Sequence, residues 1–236
     1  MAHPVLLNNV DHKDLRVLTQ RGAAYGDNVM LAHTFAAEFR NLQVHYPIVF
    51  QKSVQGSFHP VALLGFQDGQ NLFLTASAWD ASYLPLAIER EPFLIGKQGD
   101  ELLVHVDLDS PRISHGAEGQ ALFLPHGGSS EHLDRITSVL LAIHDGLQSN
   151  PAFVGALLAH ELLESFVLDV EGPDGSLHRL AGFYTIDEER LAQLNGEQLH
   201  SLHQAGHLQA VYMAVASLSN LRGLIERQQR RQAAGG

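Results

Sequence analysis

Apolar positions along the chain fall into two textures. Between residues 46 and 108 they come as short runs cut by glycine, proline and polar pairs, whereas from residue 130 they recur every three or four positions. The first pattern belongs to strands and the second to helices with one buried face. Tyr46-Pro-Ile-Val-Phe50, Val61-Ala-Leu-Leu-Gly65 and Asn71-Leu-Phe-Leu-Thr75 read as strands. The Asp68-Gly69 pair between the last two predicts a hairpin, because both turn residues tolerate positive φ. Residues 93–95 and 101–108 form another strand pair across Gly96-Lys-Gln-Gly-Asp100. In the second strand Leu102, Val104, Val106 and Leu108 alternate with Glu101, His105, Asp107 and Asp109, the pattern of one wet face, with Leu103 the exception. Upstream, Met30, Phe35, Phe39 and Leu42 predict a short helix over 29–42. Residues 1–28, broken by Gly22 and Gly26, are expected to form an irregular arm.

In the second half, Ser130 caps a helix with Glu131 and Asp134 in its first turn and Leu133, Ile136, Leu140, Ile143 and Leu147 as its apolar stripe. Asn150-Pro151 interrupts it, and Pro151 opens a second helix through Phe153, Leu157 and Leu162. A hairpin follows: strand 166–170, the turn Gly172-Pro-Asp-Gly175, strand 177–184. Thr185 and Asp187 are equivalent candidates to cap the next helix, and Gly206 ends that segment. A last helix is predicted over 207–229, with Leu208, Val211, Val215, Leu218, Leu221 and Ile225 on one stripe. The fold class is therefore α+β, an antiparallel, mainly β N-terminal half with a helical C-terminal half packed against it. Residues 29–229 are expected to form a single domain, with a subdivision near 125–130 as the alternative and 230–236 as a flexible tail.

Composition narrows the chemistry. The 15 basic and 26 acidic side chains leave a net charge of −11, which argues against a nucleic-acid footprint. Without cysteine there are no disulfides, thiolate metal sites or cysteine nucleophiles. No apolar run approaches the roughly 20 residues of a membrane helix. The first 20 residues lack the basic and apolar regions of a secretory leader, so a cytoplasmic, soluble protein is expected. Phosphate-loop, dinucleotide and nucleophile-elbow motifs do not occur.

Three constellations could carry function. His105-Val-Asp107 places both side chains on the polar face of a strand, and with His178 it resembles the facial triad of a non-haem Fe(II) oxygenase. Such barrels need strands between the two histidines, and here helices fill most of the interval. Glu197, His200, His203 and His207 share helical spacing but lack the second motif that a dinuclear bundle needs. The densest aromatic-polar stretch is Trp79 to Phe93: Trp79 and Tyr83, four apart, would stack on a helical turn, and Arg90 could reach an acidic or aromatic partner.

At these residues the chain resembles the bacterial SapC family, from roughly Tyr46 to Arg227. The resemblance rests on Tyr46-Pro-Ile-Val-Phe50, Pro60-Val-Ala-Leu-Leu-Gly65 with Asn71-Leu-Phe73, and the block Trp79…Tyr83-Leu-Pro85…Arg90-Glu-Pro-Phe93. Asp109-Ser-Pro-Arg112, Gly119-Gln-Ala-Leu-Phe123 and Gly182-Phe-Tyr-Thr-Ile-Asp-Glu-Glu189 complete it. The chain departs from the family at Glu89-Arg90-Glu91, where a more basic and aromatic run is usual, and His105 falls at a variable position. The resemblance implies a locus beside an S-layer protein and its secretion components, or near outer-membrane TonB-dependent receptors, tryptophan-halogenase-like proteins and cupin-like hydroxylases. It carries no established catalytic residues.

The resulting expectation is a non-catalytic accessory protein without a cofactor. It acts through protein contacts in surface-protein export or outer-membrane uptake, with Trp79, Tyr83 and Arg90 as the recognition patch. The partner is a protein, and the last helix offers a homodimer surface. The alternatives are an iron oxygenase using His105, Asp107 and His178, and a ligand-binding module with a pocket between the β region and the helices.

Overall fold

The computed structural model describes residues 3–75, 78–171 and 177–235. In chain order they form β1 (Pro4–Leu6), β2 (Arg16–Val17), β3 (Leu31–His33), α1 (Phe39–Leu42), β4 (Ile48–Lys52), β5 (Phe58–Leu63), α2 (Leu86–Glu89), β6 (Phe93–Gln98) and β7 (Glu101–Asp107). Then come β8 (Ile113–Ser114), β9 (Gln120–Ala121), α3 (Glu131–Ala159), β10 (Leu163–Glu171), β11 (Leu177–Ile186), α4 (Glu188–Ala192), α5 (Gly196–Gln204), α6 (Leu208–Ser217) and α7 (Asn220–Gly235). The fold is α+β with antiparallel sheets. Two compact units interleave in sequence: Met1–Asp27, Leu74–Asp80 and Leu86–Asp145 form the first, and Asn28–Phe73, Ala81–Pro85 and Gly146–Gly236 the second. No single cut near 125–130 separates them.

The first unit holds two three-stranded sheets, β1-β7-β6 and β8-β2-β9. Residues 1–28 thus contribute paired strands: β1 pairs with β7 and β2 lies between β8 and β9. The β6–β7 hairpin forms as its alternation predicts, closed by Gln98 opposite Glu101 with Gly99 at φ +62°. Val104 and Leu108 pack against a core of Val17, Phe93, Val106, Ile113, Leu122, Leu133, Ile136 and Leu140. Leu102, at the hairpin end, stays exposed.

The second unit is built on the sheet β10-β11-β4-β5-β3. Consecutive residues Ile48, Val49 and Phe50 are fully buried, as are Val61, Ala62 and Leu63. Both faces of these central strands are therefore covered, which is why they read as unbroken apolar runs. Helix α6 packs on β4, β11 and α1. In the β10–β11 hairpin, Ala181 and Gly182 stand opposite Val167 alone, a bulge that Gly182 accommodates at φ +83°. The turn expected at 172–175 lies outside the described residues.

Several local expectations are corrected. The helix over 29–42 is replaced by β3, which pairs with β5, then a 3-10 turn over Ala36–Glu38 and one turn of α1. Residues 71–75 form no strand. Asn71, itself buried, accepts a hydrogen bond from the Phe73 N–H (3.0 Å) and bends the chain there. Asp187, not Thr185, caps α4, accepting from the Arg190 N–H at 2.8 Å. The last helix is two, α6 and α7. Ser217 at the break donates to the Ala214 carbonyl and accepts the Ile48 N–H, and the following Asn220 donates to the Gln43 carbonyl.

Asn150-Pro151 does not end a helix either, because α3 runs through Pro151. An interior proline costs about 3 kcal/mol. Leu133, Ile136 and Leu140 are buried before it and Phe153, Val154 and Leu157 after it, at about 1.5–3 kcal/mol each, so continuity wins. Within the same helix, a Cβ at Gly146 would stand 2.2 Å from the buried Phe35 ring. Gly146→Ala is therefore expected to lower stability by roughly 1–2 kcal/mol, overpacking outweighing the helix-propensity gain of about 1 kcal/mol. A rise in melting temperature would show that the ring moves aside freely.

Candidate functional site

The stretch expected to form the recognition patch does not form the helical turn expected of it. Residues 78–82 run as bends around a bridge at Trp79, Tyr83 has no regular structure, and α2 starts only at Leu86, so i, i+4 stacking of Trp79 and Tyr83 has no helix to carry it. Trp79 is half-buried in the first unit, where its backbone bridges Leu74. Arg90, in the same unit, donates to the Phe93 carbonyl at 2.7 Å and pairs with Glu91 at 3.0 Å. Next to it, Glu89 receives two 2.9 Å bonds from Arg135.

Tyr83 belongs to a buried polar network of the second unit. Its hydroxyl donates to Glu38 at 3.0 Å, its carbonyl accepts from the Tyr46 hydroxyl, and the Thr34 hydroxyl donates to the other Glu38 oxygen at 2.6 Å. Asn150, from α3, donates to the Thr34 carbonyl at 3.0 Å. Glu38 is 2% exposed, so the Tyr83 and Thr34 hydroxyls replace the water that its carboxylate loses on burial. They hold Tyr83 in place by its polar end.

A second buried network was missed in the sequence. Arg112 and Asp27 are 1% and 2% exposed and meet at 2.6 Å. Arg112 also donates to the carbonyls of Leu18 (3.3 Å) and Gln20 (2.9 Å), and its guanidinium lies over the Tyr25 ring. Asp27 further accepts the Gly22 N–H at 2.9 Å and a longer, 3.4 Å contact from Arg21. Burial and the nearby charge of Arg112 lower the pKa of Arg21, while Asp27 acts in the opposite sense. One carboxylate thus serves two guanidiniums and clamps the loop over residues 18–27 to residue 112. Asp109-Ser-Pro-Arg112 stood out as a motif, but nothing local tied Arg112 to a partner 85 positions away.

Of the metal-ligand candidates, His105, Asp107 and His207 make other contacts. The His105 ring covers Gly96, where a Cβ would come within 2.5 Å of it, and Nδ1 faces the Leu103 carbonyl at 3.3 Å. Asp107 accepts the N–H groups of His3 (2.8 Å) and Asp109 (3.1 Å), which fastens the end of β7. The His178 backbone pairs with Val170, and its side chain lies outside the described residues. His207 meets the Phe153 ring edge-on at 5.4 Å, and burial lowers its pKa. His200 and His203 are exposed on α5. Among the described residues no three His, Asp or Glu side chains gather as a metal site.

The second half of α3 has an outward face, and Leu147, expected on the core stripe, lies on it. Residues 146–159 contain no charged side chain. Leu147, Pro151, Gly155 and Leu158 fall on one side of the helix and are exposed, Leu147 to 45% and Leu158 to 49%. An uncharged, partly apolar strip on the surface of a strongly acidic protein suits contact with another protein.

No described helix is long and apolar enough to cross a membrane. The family model described as SapC matches residues 7–224. No curated protein and no solved structure matches the chain.

Proposed function

Because the chain belongs to the SapC family, we propose that it is a non-catalytic accessory protein acting by contact with other proteins in bacterial surface-protein export or outer-membrane uptake. The observation that carries this reading is the uncharged outward face of α3 around Leu147 and Leu158. Apolar side chains exposed in a strip gain about 25 cal/mol per Å² when a partner covers them, and no charge has to be desolvated with them. Trp79 and Arg90, each half-buried in the first unit, and Tyr83 in the second remain part of the proposal as further contact residues.

Photo-crosslinking in the native host tests this. A photoreactive residue at Leu147 or Leu158 is expected to link to a component of the surface-export or outer-membrane uptake machinery. Leu147→Lys with Leu158→Lys should abolish that link and the protein's ability to complement a deletion, with the melting temperature unchanged because both side chains are exposed. Full complementation by the double variant would rule out the α3 face, and a Trp79→Ala variant measured alongside assigns or removes the aromatic stretch.

A further inference from the structure

A cleft of about 260 Å³ opens in the second unit where α1, α3 and the start of α6 meet. It lies among helices, not against the sheet as the sequence suggested for a ligand pocket. Its apolar lining is Ala36 and Ala37, which are accessible, backed by the buried Phe153 and Met213, and its polar groups are Arg40, Ser149, His207 and Gln209. The volume is just under the range of about 300–1,000 Å³ that holds drug-sized ligands, so a smaller metabolite fits.

The charge of the cleft has one sign. Arg40 is exposed and forms no ion pair or hydrogen bond with the described residues, although the chain carries 26 acidic side chains. Burial lowers the pKa of His207, which leaves the ring neutral at pH 7 and Arg40 as the fixed charge. Gly206, at φ +75°, turns the chain into α6, whose N-cap residue His207 makes no side-chain cap. The first-turn N–H groups of this ten-residue helix and its positive dipole end add to the field of Arg40. A cation at one end of an apolar wall is the complement of a carboxylate attached to a short hydrocarbon body.

We propose that this cleft binds a small organic monocarboxylate, with Arg40 pairing the carboxylate and the accessible Ala36 and Ala37 side chains, backed by the buried Phe153 and Met213, facing the hydrocarbon. The inference is independent of the protein-contact reading above, since the two use different faces of the unit and different assays.

The test is titration of the ¹⁵N-labelled full chain with benzoate and with butyrate, against benzamide, butyramide and inorganic phosphate. Saturable shifts of the Gly206, Gln209 and Ala210 amides are expected with the carboxylates at millimolar concentration, and none with the amides. Arg40→Gln should weaken the carboxylates by about ten- to a hundredfold, the loss of a charge-assisted hydrogen bond. Ala37→Trp, an exposed position on the cleft lining, should block binding sterically while the spectrum stays that of the folded chain. Equal shifts with benzamide would make the cleft an apolar pocket only. Phosphate binding as tightly as benzoate would make it an inorganic-anion site. Either result, or carboxylate binding unchanged in Arg40→Gln, or no shift with any carboxylate, overturns the proposal.

Discussion

Replacing Asp27 with alanine is expected to lower the free energy of unfolding by about 3–5 kcal/mol in urea denaturation. The substitution leaves Arg112, 1% exposed, and the partly buried Arg21 close together with no anion between them. It also orphans the Gly22 N–H, which Asp27 accepts at 2.9 Å. Solvent cannot take over the pairing, as it does for surface ion pairs worth about 0–1 kcal/mol. Arg112→Met is also destabilising, because it strands the Leu18 and Gln20 carbonyls that the guanidinium satisfies. The double variant Asp27→Ala with Arg112→Met no longer contains the buried, unpaired Arg112. It should therefore be less destabilised than the sum of the two singles, by about 1–3 kcal/mol. Strict additivity would show that the two residues are not coupled and that the clamp is misassigned.

Phe153→Ala is expected to cost about 3–5 kcal/mol by the same measurement. Phe153 is 1% exposed and meets Phe39 of α1 at 5.8 Å, Phe50 of β4 at 6.3 Å and His207 at 5.4 Å between ring centroids. Removing it opens a cavity among three rings fixed on separate elements, which cannot all collapse into the space. Leu158→Ala, five residues along the same helix but 49% exposed, should change stability by less than about 0.5 kcal/mol. Comparable losses in the two variants would mean that α3 buries the opposite face.

The parts of the fold legible in the sequence share one property: their signals are local. The β6–β7 hairpin follows from alternation around Gly99, the β10–β11 pair from two apolar runs, and the start of α3 from Ser130, whose hydroxyl accepts the Leu133 N–H at 3.2 Å. The misreadings share the opposite property. At 29–42 the pairing of Leu31, Ala32 and His33 with Leu63, Ala62 and Val61 overrode a loosely helical spacing. At Pro151 the burial on both sides of the residue overrode a local breaker. At Trp79 and Tyr83 the helical spacing was present with no helix to use it. The candidate residues were legible as residue types but not as arrangements. Tyr83 could be picked out as an aromatic, yet its bond to Glu38 depends on a segment 45 positions upstream.

Taken alone, the order of residues determined the α+β class, the β6–β7 and β10–β11 hairpins though not the one expected across Asp68-Gly69, and membership of a family, since each depends on periodicity or on motifs in a row. Tertiary structure decided which charges are buried and paired, that α3 presents Leu147 and Leu158 outward, and that Arg40 stands beside Phe153 and the start of α6. Burial and electrostatic pairing are sums over neighbours brought together from distant positions. No window along the chain contains them until the backbone has folded.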